Sequence, residues 1–252
     1  MTLTMPGHGW TRRGWFILLL LAGCSTAATS DKKVGIPGVN IADAALDGGM
    51  PDTALNVTRS ILQSNPRDVG ALERQGDALA QLGQPDAAME AWRRAVAINP
   101  GSPVALLGLG RMQLSRGNAA DAEINFTKLL AVTQDDQAAL NDLGVALDLQ
   151  GKHAAAQAVY ARLLSRSPND HAASVNLALS LSLSGQAGRS VEMLRGPGSQ
   201  PGAAPRVRQD LAVALALSGD TGGAEKLLLT DLSPSDAAAA LAGYRALGIT
   251  VK

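Results

Sequence analysis

Cys24 is the only thiol in the chain, so neither an internal disulfide nor a cysteine-based zinc cluster is available. The histidines are His8, His153 and His171, and no pair of them has metal-ligand spacing such as His-Glu-x-x-His. Gly144 through Gly151-Lys152-His153 places glycines before a lysine, as a phosphate-cradling loop does. The spacing is wrong, however, and no Ser or Thr follows the lysine to hold a metal ion. Gly108-Leu109-Gly110 lacks the third glycine of a dinucleotide loop, and no Gly-x-Ser-x-Gly elbow presents a nucleophile. Basic and acidic residues number 22 each, so no net field draws a phosphate backbone, and nucleic acid is not an expected partner. Catalytic residues, a cofactor, a metal and a small-molecule substrate are accordingly not expected; the chain reads as a binding protein and not an enzyme.

The lone thiol matters by position. Arg12 and Arg13 precede an apolar run from Trp15 to Ala22, and small residues lead to Cys24. A basic start, a short apolar stretch and a small-residue exit describe a secretory signal over residues 1–23. Eight apolar residues span about 12 Å as a helix, well short of a bilayer core of about 30 Å, so the run is not expected to cross a membrane. Leu21-Ala22-Gly23-Cys24 resembles a bacterial lipobox. That resemblance implies cleavage before Cys24 and acylation of its thiol, with the acyl chains holding the protein on a membrane. Ser25 follows where an aspartate would imply retention in the inner membrane, so the implied location is the outer membrane, on its periplasmic face. Loss of residues 1–23 leaves 20 basic against 22 acidic residues. Residues 24–38 are small, polar and punctuated by Gly and Pro, as in a flexible tether.

The elements that follow are set by a period. Gly49, Gly83, Gly117, Gly151, Gly185 and Gly219 recur every 34 residues without slippage. With residue 69 as position 1, these glycines occupy position 15. Gly76, Gly110, Gly144, Ala178 and Ala212 share position 8, and Trp92, Phe126, Tyr160, Leu194 and Leu228 share position 24. Ala54, Ala88, Ala122, Ala156, Ser190 and Ala224 share position 20, and Pro66, Pro100 and Pro168 position 32. Each period predicts two helices. Helix A, over positions 2 to 14, turns Leu72, Leu79, Leu106, Leu140 and Leu147 inward and ends at the position-15 glycine, where a left-handed conformation favours that residue. Helix B begins near position 18 with Asp52 and Asp86 as caps, and its bulky position-24 residue fills the space between hairpins. Hydrophobic residues make up 46% and aromatics only 3%, which suits helix-on-helix packing through small and aliphatic side chains.

The pattern resembles the tetratricopeptide repeat over about residues 35–230. The implied fold is all-α: a right-handed superhelical solenoid of about six hairpins over residues 39–232, closed by a C-terminal capping helix within 233–252. Thr58 stands where a large apolar residue is expected in the first repeat, and Gly196-Pro197-Gly198-Ser199-Gln200-Pro201-Gly202 is expected to cut one helix B short before the register resumes at Pro205. Stacked hairpins present a concave groove lined by the A helices at positions 2, 5, 6, 9 and 12. Those positions select Glu73, Leu107, Arg111, Asn141, Asp142, Val145, Asp148, Asn176 and Leu179 as candidates to hold an extended protein segment, the amides bonding its backbone and the apolar residues its side chains. Arg111 stands almost alone, so a basic clamp for a free C-terminal carboxylate is not expected.

The lipobox, the tether, the hairpin Arg208-Gln209-Asp210-Leu211-Ala212-Val213-Ala214-Leu215-Ala216-Leu217-Ser218-Gly219-Asp220 and the terminal segment 231–247 together resemble the TadD family, lipoproteins of the Tad/Flp pilus assembly system. In that family an Asn often stands at the positions of Asp210 and Leu241 here. The resemblance implies a pilotin-like role, with the groove holding a segment of the secretin through which the pilus passes. The alternative is a generic periplasmic repeat lipoprotein serving outer-membrane protein or cell-wall assembly. In either case Cys24→Ser is expected to leave the protein soluble or unprocessed; persistent membrane anchoring of the mutant would refute lipidation.

Overall fold

The computed structural model describes residues 37–200 and 202–249. The signal segment 1–23, the lipidation site Cys24 and the tether up to residue 36 lie outside the described residues, as does Pro201 of the irregular seam. Among the described residues there are thirteen α-helices and no strand. The A helices are α1 (Pro37–Asp47), α3 (Val69–Gln81), α5 (Pro103–Ser115), α7 (Gln137–Leu149), α9 (His171–Leu183) and α11 (Pro205–Ser218). The B helices are α2 (Pro51–Ser64), α4 (Pro85–Ile98), α6 (Ala119–Val132), α8 (His153–Arg166), α10 (Ala187–Ser199) and α12 (Thr221–Leu228). Each A helix packs on its own B helix and, after α1, on the preceding B helix; successive A helices touch, and α13 (Pro234–Ile249) rests on α11 where another A helix would follow. This is the six-hairpin solenoid with a C-terminal cap that the period predicts. The first helix starts at Pro37, so the last two residues assigned to the tether are helical.

The helix starts differ from the sequence expectation. Asp52 and Asp86 are not caps: Met50 and Gln84 hold those places without a side-chain bond, and Pro51 and Pro85 open the helices instead. Proline is pre-set for the first helical position, where its missing N–H costs nothing. Side-chain caps open four of the A helices, and of the B helices α12 alone has one, Asp220, which accepts from the Gly223 amide at 2.8 Å. Asp68, Ser102, Asp136 and Asp170, all at position 34, accept hydrogen bonds from the amides of Ala71, Ala105, Ala139 and Ala173 at 2.8–3.2 Å. At the other end, the six position-15 glycines have φ between 67° and 95°, the left-handed conformation that reverses the chain into helix B.

The irregular seam does not shorten α10, which runs through Pro197 to Ser199. Pro197 lies in the last turn, where one lost ladder bond does not end a helix. Gly198 serves packing: a Cβ there would lie 2.8 Å from Leu211 Cδ2, so α10 sits closely on α11 because the residue is glycine. The short B helix is α12, with 8 residues. The chain then turns through Asp231, which receives Arg208 Nε at 2.7 Å, and enters α13, where Ala237 and Leu241 are buried on α11.

The core is a series of paired positions. In three hairpins a position-24 ring lies on a position-8 glycine: Trp92 on Gly76, Phe126 on Gly110 and Tyr160 on Gly144. A Cβ on any of these glycines would lie 2.3–2.4 Å from a ring atom, closer than van der Waals contact allows. Where position 24 is smaller, position 8 is alanine: Leu194 pairs with Ala178, Leu228 with Ala212, and Thr58 with Ala42, all buried. Thr58 is tolerated because its hydroxyl donates to the Leu55 carbonyl at 3.0 Å.

This complementarity yields a coupled test. Gly144→Ala alone is expected to destabilise by about 1–3 kcal/mol through overpacking. Tyr160→Ala is expected to cost about 3–5 kcal/mol, since Tyr160 is fully buried. The pair Gly144→Ala with Tyr160→Leu, which copies the neighbouring hairpin, is expected to be more stable than the losses of Gly144→Ala and Tyr160→Leu measured singly add up to; strict additivity in urea unfolding would refute the pairing.

Candidate functional site

The inner faces of successive A helices enclose a groove of about 760 Å³. From α3 come Asp77 and Ala80; from α5, Val104, Leu107, Gly108, Arg111, Met112 and Ser115. Across from them, α7 gives Asn141 and Asp142, α9 gives His171, Ala172, Val175 and Asn176, and α11 gives Arg206, Val207 and Asp210. Its lining is largely apolar, with a polar line along the floor. Arg111 Nε donates to Asp142 Oδ2 at 2.6 Å, and Asn176 Nδ2 donates to Asn141 Oδ1 at 2.8 Å. These bonds tie α5 to α7 and α7 to α9, so the polar side chains hold the A helices in register as well as facing the groove.

Of the candidates read from the repeat positions, Leu107, Arg111, Asn141, Asp142 and Asn176 line this groove, and Val145, Asp148 and Leu179 do not. Val145 is buried beside Phe126 and Leu114. Asp148 is turned to the joint between hairpins. It accepts from Ser180 Oγ at 2.7 Å, faces His153 Nδ1 at 2.8 Å and bonds the Tyr160 hydroxyl, and burial raises its pKa. The same contacts place His153 half-buried at the start of α8, against Asp148. His171 is exposed at the groove edge. Glu73 is likewise committed elsewhere, accepting from Ser102 Oγ at 2.5 Å.

Among the lining residues that the sequence candidates do not include, four bear on the chemistry of the groove. Arg206, Asp210 and Asp77 stand at positions 2, 6 and 9, all within the groove set of positions, so the signal is present in the period. Trp92 had no such signal, because it belongs to a B helix. It reaches the groove edge because Gly76 and Gly108, on the two A helices beside it, have no side chains to cover the ring. Its Nε1–H donates to Asp77 Oδ1 at 3.3 Å. Burial pushes Asp77 up to about 6, with Arg74 and the indole N–H pulling the other way. Burial likewise pushes Asp210 up to about 6, partly offset by Arg206. The groove thus carries two carboxylates that burial has made reluctant to ionise.

Hairpins of constant length, stacked so that one face of each A helix meets a common groove, define an α-helical repeat scaffold. Tetratricopeptide-repeat models match residues 39–103 and 141–190, and a second such model matches residues 79–147. The chain belongs to the tetratricopeptide-repeat family. No curated protein sequence gives a significant match. Among solved structures, PilW, described as a widely conserved type IV pilus biogenesis factor, is similar with a TM-score of 0.63 and 22% identity over 75% of this chain and 88% of that one. PilF of Pseudomonas aeruginosa is similar with a TM-score of 0.64 and 15% identity, over 77% and 88% respectively. A tetratricopeptide repeat protein of Parabacteroides merdae has a TM-score of 0.58 and 17% identity, over 84% and 83%. At these identities the likeness is one of fold.

Asp77 gives the site a pH signature. Its carboxyl binds a proton more tightly in the folded chain than in the unfolded one, so its contribution to stability falls as pH rises from about 4 to about 6. Asp77→Asn is therefore expected to raise the melting temperature at pH 7 and to remove part of the fall seen across that window. A variant that keeps the full pH dependence of the parent would show that Asp77 ionises normally.

Proposed function

We propose that the chain is a lipid-anchored scaffold of the bacterial envelope whose groove holds an extended segment of a protein partner. The favoured partner is the secretin of a Tad/Flp pilus, bound in the manner of a pilotin. The observation that carries this reading is the groove itself: it crosses five consecutive A helices, from α3 to α11, with apolar walls and side-chain amides in reach of a bound backbone. Extended segments are held in this way, by polar groups on the main chain and apolar pockets for alternate side chains. The lipobox at Cys24 supports a membrane tether. The fold likeness to PilW, itself a pilus biogenesis factor, supports the pilus over the generic envelope adaptor. No covalent step is required of such a protein, since anchoring and binding suffice.

Peptides tiled across the secretin of a Tad/Flp pilus provide the test. One tile is expected to bind, and Leu107→Glu, which sets a charge in the apolar wall, is expected to weaken it by at least about tenfold, or about 1.4 kcal/mol, with the melting temperature little changed. Binding untouched by the substitution would place the partner elsewhere on the surface. A secretin that binds nowhere, with an outer-membrane assembly factor bound instead, would favour the adaptor.

A further inference from the structure

The groove floor holds three carboxylates, and two of them are already supplied with donors. Asp142 receives Arg111, and Asp77 receives the Trp92 indole N–H. Asp210 is different. Its Oδ2 is buried and accepts no hydrogen bond. Arg206, one turn earlier on α11, attracts it electrostatically but donates nothing to that oxygen. A buried carboxylate oxygen without a donor is costly and uncommon, and its presence in a groove wall calls for a donor from outside the fold. The terminal torsion of an aspartate is soft, so the carboxylate turns to present this oxygen to the groove at small cost.

We propose that the groove selects a segment carrying a lysine or arginine, whose cation is received by Asp210 at the α11 end. This rests on the groove being the binding surface. Charge and shape both point that way. Among groove-lining residues, carboxylates outnumber basic side chains three to two, and Arg111 is bonded to Asp142. Beside Asp210 the wall is made of Val207 and Val175, which would cover the alkyl stem of a long basic side chain while its head reaches the carboxylate. An acidic residue at the same place would meet Asp210 with like charge. The preference is thus opposite to that of a basic clamp for a free carboxylate.

The test is a library of random 12-residue peptides displayed on phage and panned on the full chain in detergent, in parallel with Asp210→Asn. Binders to the parent are expected to be enriched several-fold in Lys and Arg over the input, and binders to Asp210→Asn are not. A synthetic winner with its lysine replaced by norleucine, which keeps the stem and removes the charge, is expected to lose at least tenfold against the parent and little against Asp210→Asn. Should that variant not fold, the comparison of lysine, norleucine and glutamate peptides on the parent decides the matter, glutamate being weakest. Binders without basic enrichment, or norleucine losses equal on both proteins, overturn this inference and leave the groove reading standing. No binders at all overturns both.

Discussion

One contact organises this molecule: the side chain at position 24 of a helix B lying on the residue at position 8 of the helix A before it. The two sizes complement each other along the chain, a ring on glycine in three hairpins and leucine on alanine in two. A close-packed interior has no other way to hold the interhelical distance constant while side-chain volume varies. Because every hairpin is brought to the same thickness, the hairpins stack at a constant offset and their A helices share one inner face. The groove is therefore a consequence of the core. Trp92 shows the link most directly, since it is wedged between Gly76 and Gly108 and is at once a core residue and part of the groove edge.

Much of this was legible in the period. A comb of glycines with no slippage predicts helix ends in the left-handed conformation, and every one of them has a positive φ. The small residues at position 8 and the large ones at position 24 predict a close approach. Two things were less legible. The caps of the A helices form their own column, Asp68, Ser102, Asp136 and Asp170, but Asp52 and Asp86 stand at equally regular spacing in the other helix. Asp52 and Asp86 stand inside the first turn, one place after Pro51 and Pro85, past the position from which a side chain caps; proline itself does not prevent a cap, since Ser102 caps α5 ahead of Pro103. The seam around Pro197 was misread for a related reason. Glycine and proline weaken a helix on average, yet Gly198 is where a neighbouring helix needs room.

The groove residues divide along the same line. Positions 5 and 6 face the groove in the central hairpins, as Leu107, Asn141, Asp142 and Asn176 do. Positions 9 and 12 vary with the local fit. Arg111 is long enough to reach across to Asp142, whereas Val145 is drawn into the core and Asp148 is captured by Ser180, His153 and Tyr160. Spacing places a Cβ; length and partners decide where the end of the side chain goes. The polar side chains thereby serve two ends, fixing the A helices against each other and leaving Asn141 and Asn176 at a surface that a protein segment could line.

The most direct test of the account is the emission of Trp92. With Trp10 and Trp15 replaced by phenylalanine, it is the one remaining tryptophan. The account predicts blue-shifted emission that acrylamide quenches poorly, with both properties lost in a single step as the chain unfolds in urea. Emission like that of a solvated indole in the folded protein would mean that the ring does not lie between Gly76 and Gly108, and that the packing from which the groove follows is wrong.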